Sequence, residues 1–184
     1  VASLVGSEMC IRDSSYSKKI LKICKKKPIS FEVFGDNDKD MIDQGLKISK
    51  WAKNIYVKVP IVNSKNQFTG KVIKELNSRN IKLNITAVYS AKKTEKILKV
   101  INKKTKVLIS IFAGRAADTG IDPVPEIKKS IKIAKKHRNV EILWASVREP
   151  YNYLQAKQLG CHIITIPPSI ICLLYTSPSP RDWL

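Results

Sequence analysis

A lysine lies in the middle of a run of residues that is otherwise typical of a buried strand. In residues 54–60, NIYVKVP, the β-branched residues alternate onto one face, which leaves Tyr56 and Lys58 on the other. Burial disfavours the charged form of a lysine, and a neutral amine is a nucleophile toward carbonyl carbons. The run therefore predicts either an imine-forming lysine or, alternatively, a lysine on an edge strand whose ammonium group reaches solvent.

Polar side chains share the face of Lys58 on the neighbouring predicted strands. The same alternation separates them from apolar residues, including Leu143, Ala145 and Val147, which we expect to pack under helices. A set this polar is unusual for the interior of a sheet that serves as a core alone. The residues on the face of Lys58 are Ser30, Glu32, Phe34, Asn84, Thr86, Ser110, Phe112, Ser146 and Arg148.

Imine chemistry on a lysine requires a group that moves protons, and Glu32 on the adjacent strand suits that role directly or through a water. Thr86 could orient such a water, and Asn84 could hold the hydroxyl groups of a substrate. Arg115, in a loop after a strand, and Arg148, at a strand end, are placed to clamp a phosphate group. Alternatively, Arg115 is a solvated loop charge.

Short β-rich runs alternate with amphipathic runs along the chain. The predicted strands are 29–34, 55–61, 81–89, 106–112, 141–147 and 162–167, and the predicted helices are 38–52, 71–78, 91–102, 125–137 and 150–159. Ser90 suits the N-cap of the third of these helices, Asp36 or Asp38 suits that of the first, and Gly160 suits the end of the last.

This alternation predicts parallel strands joined by right-handed crossovers, and hence an α/β fold. The sequence contains neither GxGxxG nor GxxxxGK[ST], so a (β/α)8 TIM barrel is favoured over a nucleotide-binding sheet. Since a closed barrel has eight strands, we expect an incomplete fragment that lacks the first two β/α units and the final helix. Open strand edges make us expect that the chain as given folds poorly.

The two ends of the chain share an unusual relation. LVGSEMCIRDS near the start and CLLYTSPSPRD near the end can be encoded by opposite strands of one DNA, which resembles a transposase adapter used for sequencing libraries. We therefore interpret residues 1–14 and 172–184 as translated adapter and exclude them from functional reasoning. Residues 15–171 are then the partial barrel, with Cys24 and Cys161 as its cysteines.

Two distant cysteines without a CxxC pair suggest reduced thiols in a cytoplasmic protein and no metal site. The formal net charge is +19, which could indicate a basic binding protein for nucleic acid. However, the lysines fall at predicted helix surfaces with few aromatic residues between them, so we expect solvated outer faces and no nucleic-acid partner. Apolar tracts are too short for a membrane span, and no membrane partner is expected.

Four motifs resemble those of the transaldolases in order and spacing, over essentially all of residues 29–168. They are VKVP at 57–60, NITAVYS at 84–90, SIFAGR at 110–115 and ASVR at 145–148. The resemblance implies a class I aldolase mechanism on a TIM barrel without metal or organic cofactor. It makes Lys58 the Schiff-base lysine and Glu32 its acid–base partner. It also places Asn84, Thr86, Ser110, Arg115 and Arg148 on substrate-contacting positions.

The related fructose-6-phosphate aldolases carry Gln where Glu32 stands and Tyr where Phe112 stands, so the resemblance favours transfer over simple aldol cleavage. It implies that a dihydroxyacetone unit moves between sugar phosphates, as in the pentose phosphate pathway, in a protein that could form homo-oligomers. A simple aldolase and a non-catalytic basic binding protein are the alternatives. The family also uses an Asp and an Asn on two strands that precede these, so we expect the fragment to lack full activity.

Overall fold

A computed structural model describes residues 14–176, which contain a parallel sheet of six strands that lie in the sheet in the same order as along the chain. The strands are Ile29–Glu32 (β1), Ile55–Pro60 (β2), Leu83–Val88 (β3), Val107–Phe112 (β4), Val140–Ala145 (β5) and Ile163–Ile164 (β6). The helices are Ser14–Ile23 (α1), Asp38–Ser49 (α2), Gly70–Ser78 (α3), Ala91–Leu98 (α4), Ala113–Ala117 (α5), Val124–Ala134 (α6), Tyr151–Leu159 (α7) and Pro168–Tyr175 (α8).

Helices alternate with the strands, and the sheet curls into part of a barrel. The predicted α/β fold, an incomplete TIM barrel of about six strands, is confirmed. Because β2 lies between β1 and β3, the alternative in which Lys58 sits on an edge strand is wrong.

The core between the sheet and its helices is apolar. Val57, Ile85 and Ile109 are fully buried there, together with helix residues such as Val72 and Ile127. A smaller cluster lies on the inner face of the curl and contains Tyr56, Leu108, Leu143 and Ala145. The inner face therefore carries this small apolar cluster together with the polar side chains that share the face of Lys58.

The fifth strand differs from its predicted phase. Leu143 and Ala145 lie on the inner face, whereas Trp144 packs into the helix-side core. Ser146, directly after the strand, has a φ of +66°, and this left-handed residue interrupts the alternation so that Val147 returns to the helix-side core. The prediction was therefore right for Val147 and wrong for Leu143 and Ala145.

Side-chain caps set the beginnings of two helices. Ser90 caps α4 as predicted, since its side chain accepts a hydrogen bond from the Lys93 N–H. Neither predicted aspartate caps α2; the cap is Asn37, which accepts from the Asp40 N–H. Asp36 instead accepts two hydrogen bonds from Ser64.

The predicted glycine stop is confirmed, because Gly160 ends α7 with a φ of +75°. The sequence reading missed α1 and α8, and it also missed α5, which occupies a segment predicted as a loop. Strand β6 is shorter than predicted.

The adapter interpretation covers residues 1–14 and 172–184, of which 1–13 and 177–184 lie outside the described residues. Residue 14 begins α1, and residues 172–175 belong to α8. The interpretation stays a prediction. Within residues 14–176, no helix is long and apolar enough to cross a membrane.

Candidate active site

Lys58 and Glu32 meet on the inner face of the sheet. The parallel register places them side by side on β2 and β1, and the Lys58 Nζ lies 2.9 Å from the Glu32 Oε2. The lysine side chain is 12% exposed and the glutamate side chain 34% exposed. The amine is thus shielded from bulk water, and a carboxylate stands within direct proton-transfer distance of it.

A chain of hydrogen bonds crosses the inner face beside Lys58. Asn84, which pairs with Lys58 in the sheet, donates from Nδ2 to the Ser30 Oγ at 3.1 Å. The Ser110 hydroxyl donates to the Asn84 Oδ1 at 2.6 Å. Because these side chains are buried, their bonds fix the Asn84 amide plane. A second Asn84 N–H and the Ser110 oxygen lone pairs then remain available to hydroxyl groups in the cavity.

A cavity of about 480 Å³ opens on this face at the carboxyl ends of the strands. Its lining includes most of the predicted site residues: Lys58, Asn84, Thr86, Ser110, Phe112, Arg115, Ser146 and Arg148. Leu143, Ala145 and Ile166 supply apolar wall. Polar groups that converge in a concave, partly apolar site are typical of a small-molecule site.

Arg115 lies on α5 and stacks on an aromatic ring. Its guanidinium carbon is 4.9 Å from the centre of the Phe112 ring, within the range of a cation–π contact. The Phe112 ring also packs against the ring of Tyr89, with the centroids 6.0 Å apart. Phe112 therefore supports the arginine that could meet an anionic group at the mouth.

Arg148 is paired with Asp118, a residue that the sequence reading did not place in the site. The Arg148 Nη2 lies 2.7 Å from the Asp118 Oδ2, and Nε lies 3.1 Å from each carboxylate oxygen. Hydrogen bonds from Arg148 lower the pKa of Asp118, and the same contact raises the pKa of Arg148. The second predicted phosphate-binding arginine thus carries a charge that is already partly balanced.

The contact between α5 and the end of β5 requires a glycine. A Cβ on Gly114 would lie 1.7 Å from the Ser146 carbonyl oxygen and 2.9 Å from the Arg148 Cγ. Without a side chain at Gly114 the two segments touch, which brings Arg115 and Arg148 to one side of the cavity.

The structure brings most of the predicted residues of the inner face together. Glu32, Ser30 and Phe34 are not part of the cavity lining. Glu32 contacts Lys58 and Ser30 contacts Asn84, whereas Phe34 is 47% exposed. Sequence reasoning missed Ser30 as a partner of Asn84, although its place two residues before Glu32 puts it on the same face. It missed Tyr89 and Asp118 as supports. Tyr89 is the last residue of a predicted strand, and Asp118 follows α5, a segment that was predicted as a loop.

A second cavity, of about 630 Å³, lies at the opposite, amino ends of the strands. Its lining is basic and includes Lys25, Lys53, Lys82 and Lys106. Burial, together with the charge of Lys106, lowers the pKa of Lys82. Tyr56 is the sole member of the Lys58 face named earlier that lines it, so the chemistry concentrates in the cavity around Lys58.

Comparison with known proteins indicates the family of this chain. The model of the transaldolase/fructose-6-phosphate aldolase family matches residues 7–182. A probable transaldolase of Herpetosiphon aurantiacus is 32% identical over 161 residues, 87% of this chain and 69% of the relative. One of a Sulfurihydrogenibium species is 33% identical over 164 residues, 88% of this chain and 71% of the relative. The chain thus spans about two thirds of the length of these relatives.

A solved structure supports the fold. Inosine 5'-monophosphate dehydrogenase of Legionella pneumophila superposes with a TM-score of 0.60 at 13% identity. The match covers 85% of this chain and 48% of that protein. At this identity the likeness concerns the barrel architecture alone, and this chain spans about half of that structure.

Proposed function

Since the chain belongs to the transaldolase/fructose-6-phosphate aldolase family, we propose that its site carries out transaldolase chemistry. In that reaction a dihydroxyacetone unit moves from a ketose phosphate to an aldose phosphate through an imine on Lys58. The observation that carries the proposal is the shielded amine of Lys58, 2.9 Å from the Glu32 carboxylate, inside a cavity of sugar size.

In the first step Glu32 takes a proton from the Lys58 ammonium group, and the free amine attacks the ketone carbon of the donor. Loss of the carbonyl oxygen as water leaves a protonated imine. Glu32 is the group in contact with Lys58, so it can return the proton to the departing oxygen. The 12% exposure of Lys58 limits competing hydrolysis of the imine by bulk water.

In the second step the protonated imine accepts the electron pair of the adjacent carbon–carbon bond. A base removes the proton of the hydroxyl group beyond that bond, the aldose phosphate leaves, and an enamine remains on Lys58. Glu32 acts as this base, directly or through a water that Thr86 orients. Thr86 lines the cavity with 1% of its surface exposed, and Asn84 and Ser110 hold the hydroxyl groups of the three-carbon unit.

In the third step the enamine attacks the aldehyde carbon of an acceptor sugar phosphate, and hydrolysis of the new imine releases the product. The site favours this transfer through Glu32, whose carboxylate can serve each proton transfer in turn. Arg115 and Arg148 bind the phosphate at the mouth. We place this chemistry among pentose phosphate conversions in the cytoplasm, as befits sugar-phosphate substrates.

The test supplies a ketose phosphate labelled in its first three carbons, with and without an aldose phosphate acceptor. We expect label in a new ketose phosphate when the acceptor is present. Release of free dihydroxyacetone without the acceptor would instead indicate a simple aldolase. Equal conversion by a Lys58→Met variant would contradict the role of Lys58, and the matched control Lys132→Met changes a lysine on α6, away from the lining of the cavity.

A further inference from the structure

The orientation of the ion pair between Arg148 and Asp118 determines which edge of the guanidinium group is available to a ligand. The carboxylate occupies the edge of the guanidinium group formed by Nε and Nη2, with three contacts of 2.7–3.1 Å. The two side chains are about half exposed, at 48% and 49%. An ion pair this exposed adds little to the stability of the fold. Stability therefore does not explain why the two side chains are held by three contacts.

The opposite edge of the Arg148 guanidinium, formed by Nη1 and Nη2, can still donate to an anion. Within residues 14–176, Nη1 makes no hydrogen bond. Arg148 lines the cavity, and its backbone N–H donates to the Asn152 Oδ1 at 2.9 Å. The residue is therefore held at its backbone and at one edge of its side chain, while the other edge remains available.

The ion pairs of the cavity lining also bear on whether Arg148 can bind an anion. Lys58 is paired with Glu32 and Arg148 with Asp118, and the remaining cation of the lining is Arg115, which stacks on Phe112. Asp118 does not remove Arg148 from the site; it balances one charge and fixes the direction in which the donors of Arg148 point.

We propose that Asp118 is a positioning residue, which presents the Nη1/Nη2 edge of Arg148 to the phosphate group of a sugar phosphate in the cavity. The identity of this ligand rests on the proposed function. The carboxylate orders a half-exposed arginine before the ligand arrives, so less side-chain freedom is lost on binding. Asp118 then affects recognition of the phosphate and leaves imine formation on Lys58 unchanged.

The test measures calorimetrically the binding of glucitol 6-phosphate, which has no carbonyl group and cannot form an imine. The Asp118→Asn variant should bind it about fivefold more weakly at moderate salt, where the loss of one exposed charge is screened. The control is Asp43→Asn, because Asp43 is 50% exposed and pairs with Lys39 at 3.0 Å on α2. Asp43→Asn should bind glucitol 6-phosphate with the affinity of the unmodified chain. Glucitol, which has no phosphate, should bind equally to the unmodified chain and to both variants.

A second measurement follows the side-chain nitrogen signals of Arg148 by NMR as glucitol 6-phosphate is added to the unmodified chain. The Nη signals should shift while the Nε signal stays, since Nε remains bonded to Asp118. Equal or tighter binding by Asp118→Asn overturns the proposal, as does a dominant shift of Nε or no binding by the unmodified chain. Borohydride trapping with dihydroxyacetone tests the proposed function separately, because that ketone carries no phosphate.

Discussion

Replacement of Gly114 by alanine tests the contact that brings the two arginines together. The new Cβ would lie 1.7 Å from the carbonyl oxygen of Ser146, whereas an ordinary contact between carbon and oxygen is about 3.3 Å. A backbone carbonyl at a strand end cannot rotate away as a side chain does. Helix α5 must therefore move by about 1.5 Å, and Arg115 must move with it.

The expected cost follows from this overlap. Forcing one extra carbon into a tightly packed contact costs about 1–3 kcal/mol, and an overlap with a backbone atom falls in the upper part of that range, about 2–3 kcal/mol. The better helix propensity of alanine offsets about 1 kcal/mol of that cost. The net loss of about 1–2 kcal/mol should lower the melting temperature of a chain of this size by about 2–8 °C. Binding of glucitol 6-phosphate should weaken as well, because Arg115, which lines the cavity, moves with α5.

The matched control is Gly45→Ala on α2. The nearest atoms to its added Cβ are two methyl carbons of Leu76, at 2.7 and 3.0 Å. A leucine side chain can adjust its rotamer, and alanine in a helix interior is more stable than glycine by about 0.5–1 kcal/mol. Thermal unfolding by circular dichroism should place Gly45→Ala within about 2 °C of the unmodified chain. A Gly114→Ala variant that melts and binds as the unmodified chain does would refute the reasoning.

Three further predictions concern the rest of the chain. Burial raises the pKa of the Cys161 thiol from 9.0 to about 11, so at pH 8 its thiolate fraction falls about 100-fold below that of an ordinary thiol. Iodoacetamide labelling followed by mass spectrometry should therefore show that Cys161 is modified more slowly than the exposed Cys172. Faster modification of Cys161 would contradict its burial. The Ala91 N–H donates to Glu126 at 2.7 Å and, with Lys129, lowers the pKa of that carboxyl. A lowered pKa contributes stability above the unfolded value and loses it as pH falls through the folded one. Glu126→Gln should therefore cost about 1 kcal/mol at pH 7, and denaturant titrations should show that difference shrink as the pH falls below the ordinary glutamate pKa of 4.5. A difference that stays constant in acid would count against this prediction. Finally, the outer edges of β1 and β6 have no strand partner within residues 14–176, so size exclusion of the chain should show association. A monodisperse sample would show this expectation to be wrong.

The central strands of the sheet could be predicted from the sequence because apolar and polar residues alternate along them. Alternation of apolar and polar residues located β2 and β3, and it placed Lys58 and Asn84 on one face. Parallel pairing then made them neighbours. These features depend on local period and on the burial of one face, and both are visible in the chain itself.

The rest of the site depends on backbone conformations that no periodicity encodes. The left-handed φ of Ser146 interrupts the alternation between Ala145 and Val147. Leu143 and Ala145 therefore lie on the face opposite to the predicted one. The pair of Asp118 with Arg148 joins residues 30 apart, and it exists because α5 packs against the end of β5 through Gly114. A clash distance of this kind is a property of tertiary packing, so the sequence pattern could not reveal it.

The most direct measurement is peptide mapping of the chain after borohydride reduction in the presence of fructose 6-phosphate. We expect one stable adduct, on Lys58, and none on Lys82, whose pKa burial also lowers but which lies at the amino ends of the strands. An adduct on Lys82 or another lysine, or no adduct while fructose 6-phosphate is converted, would contradict this expectation.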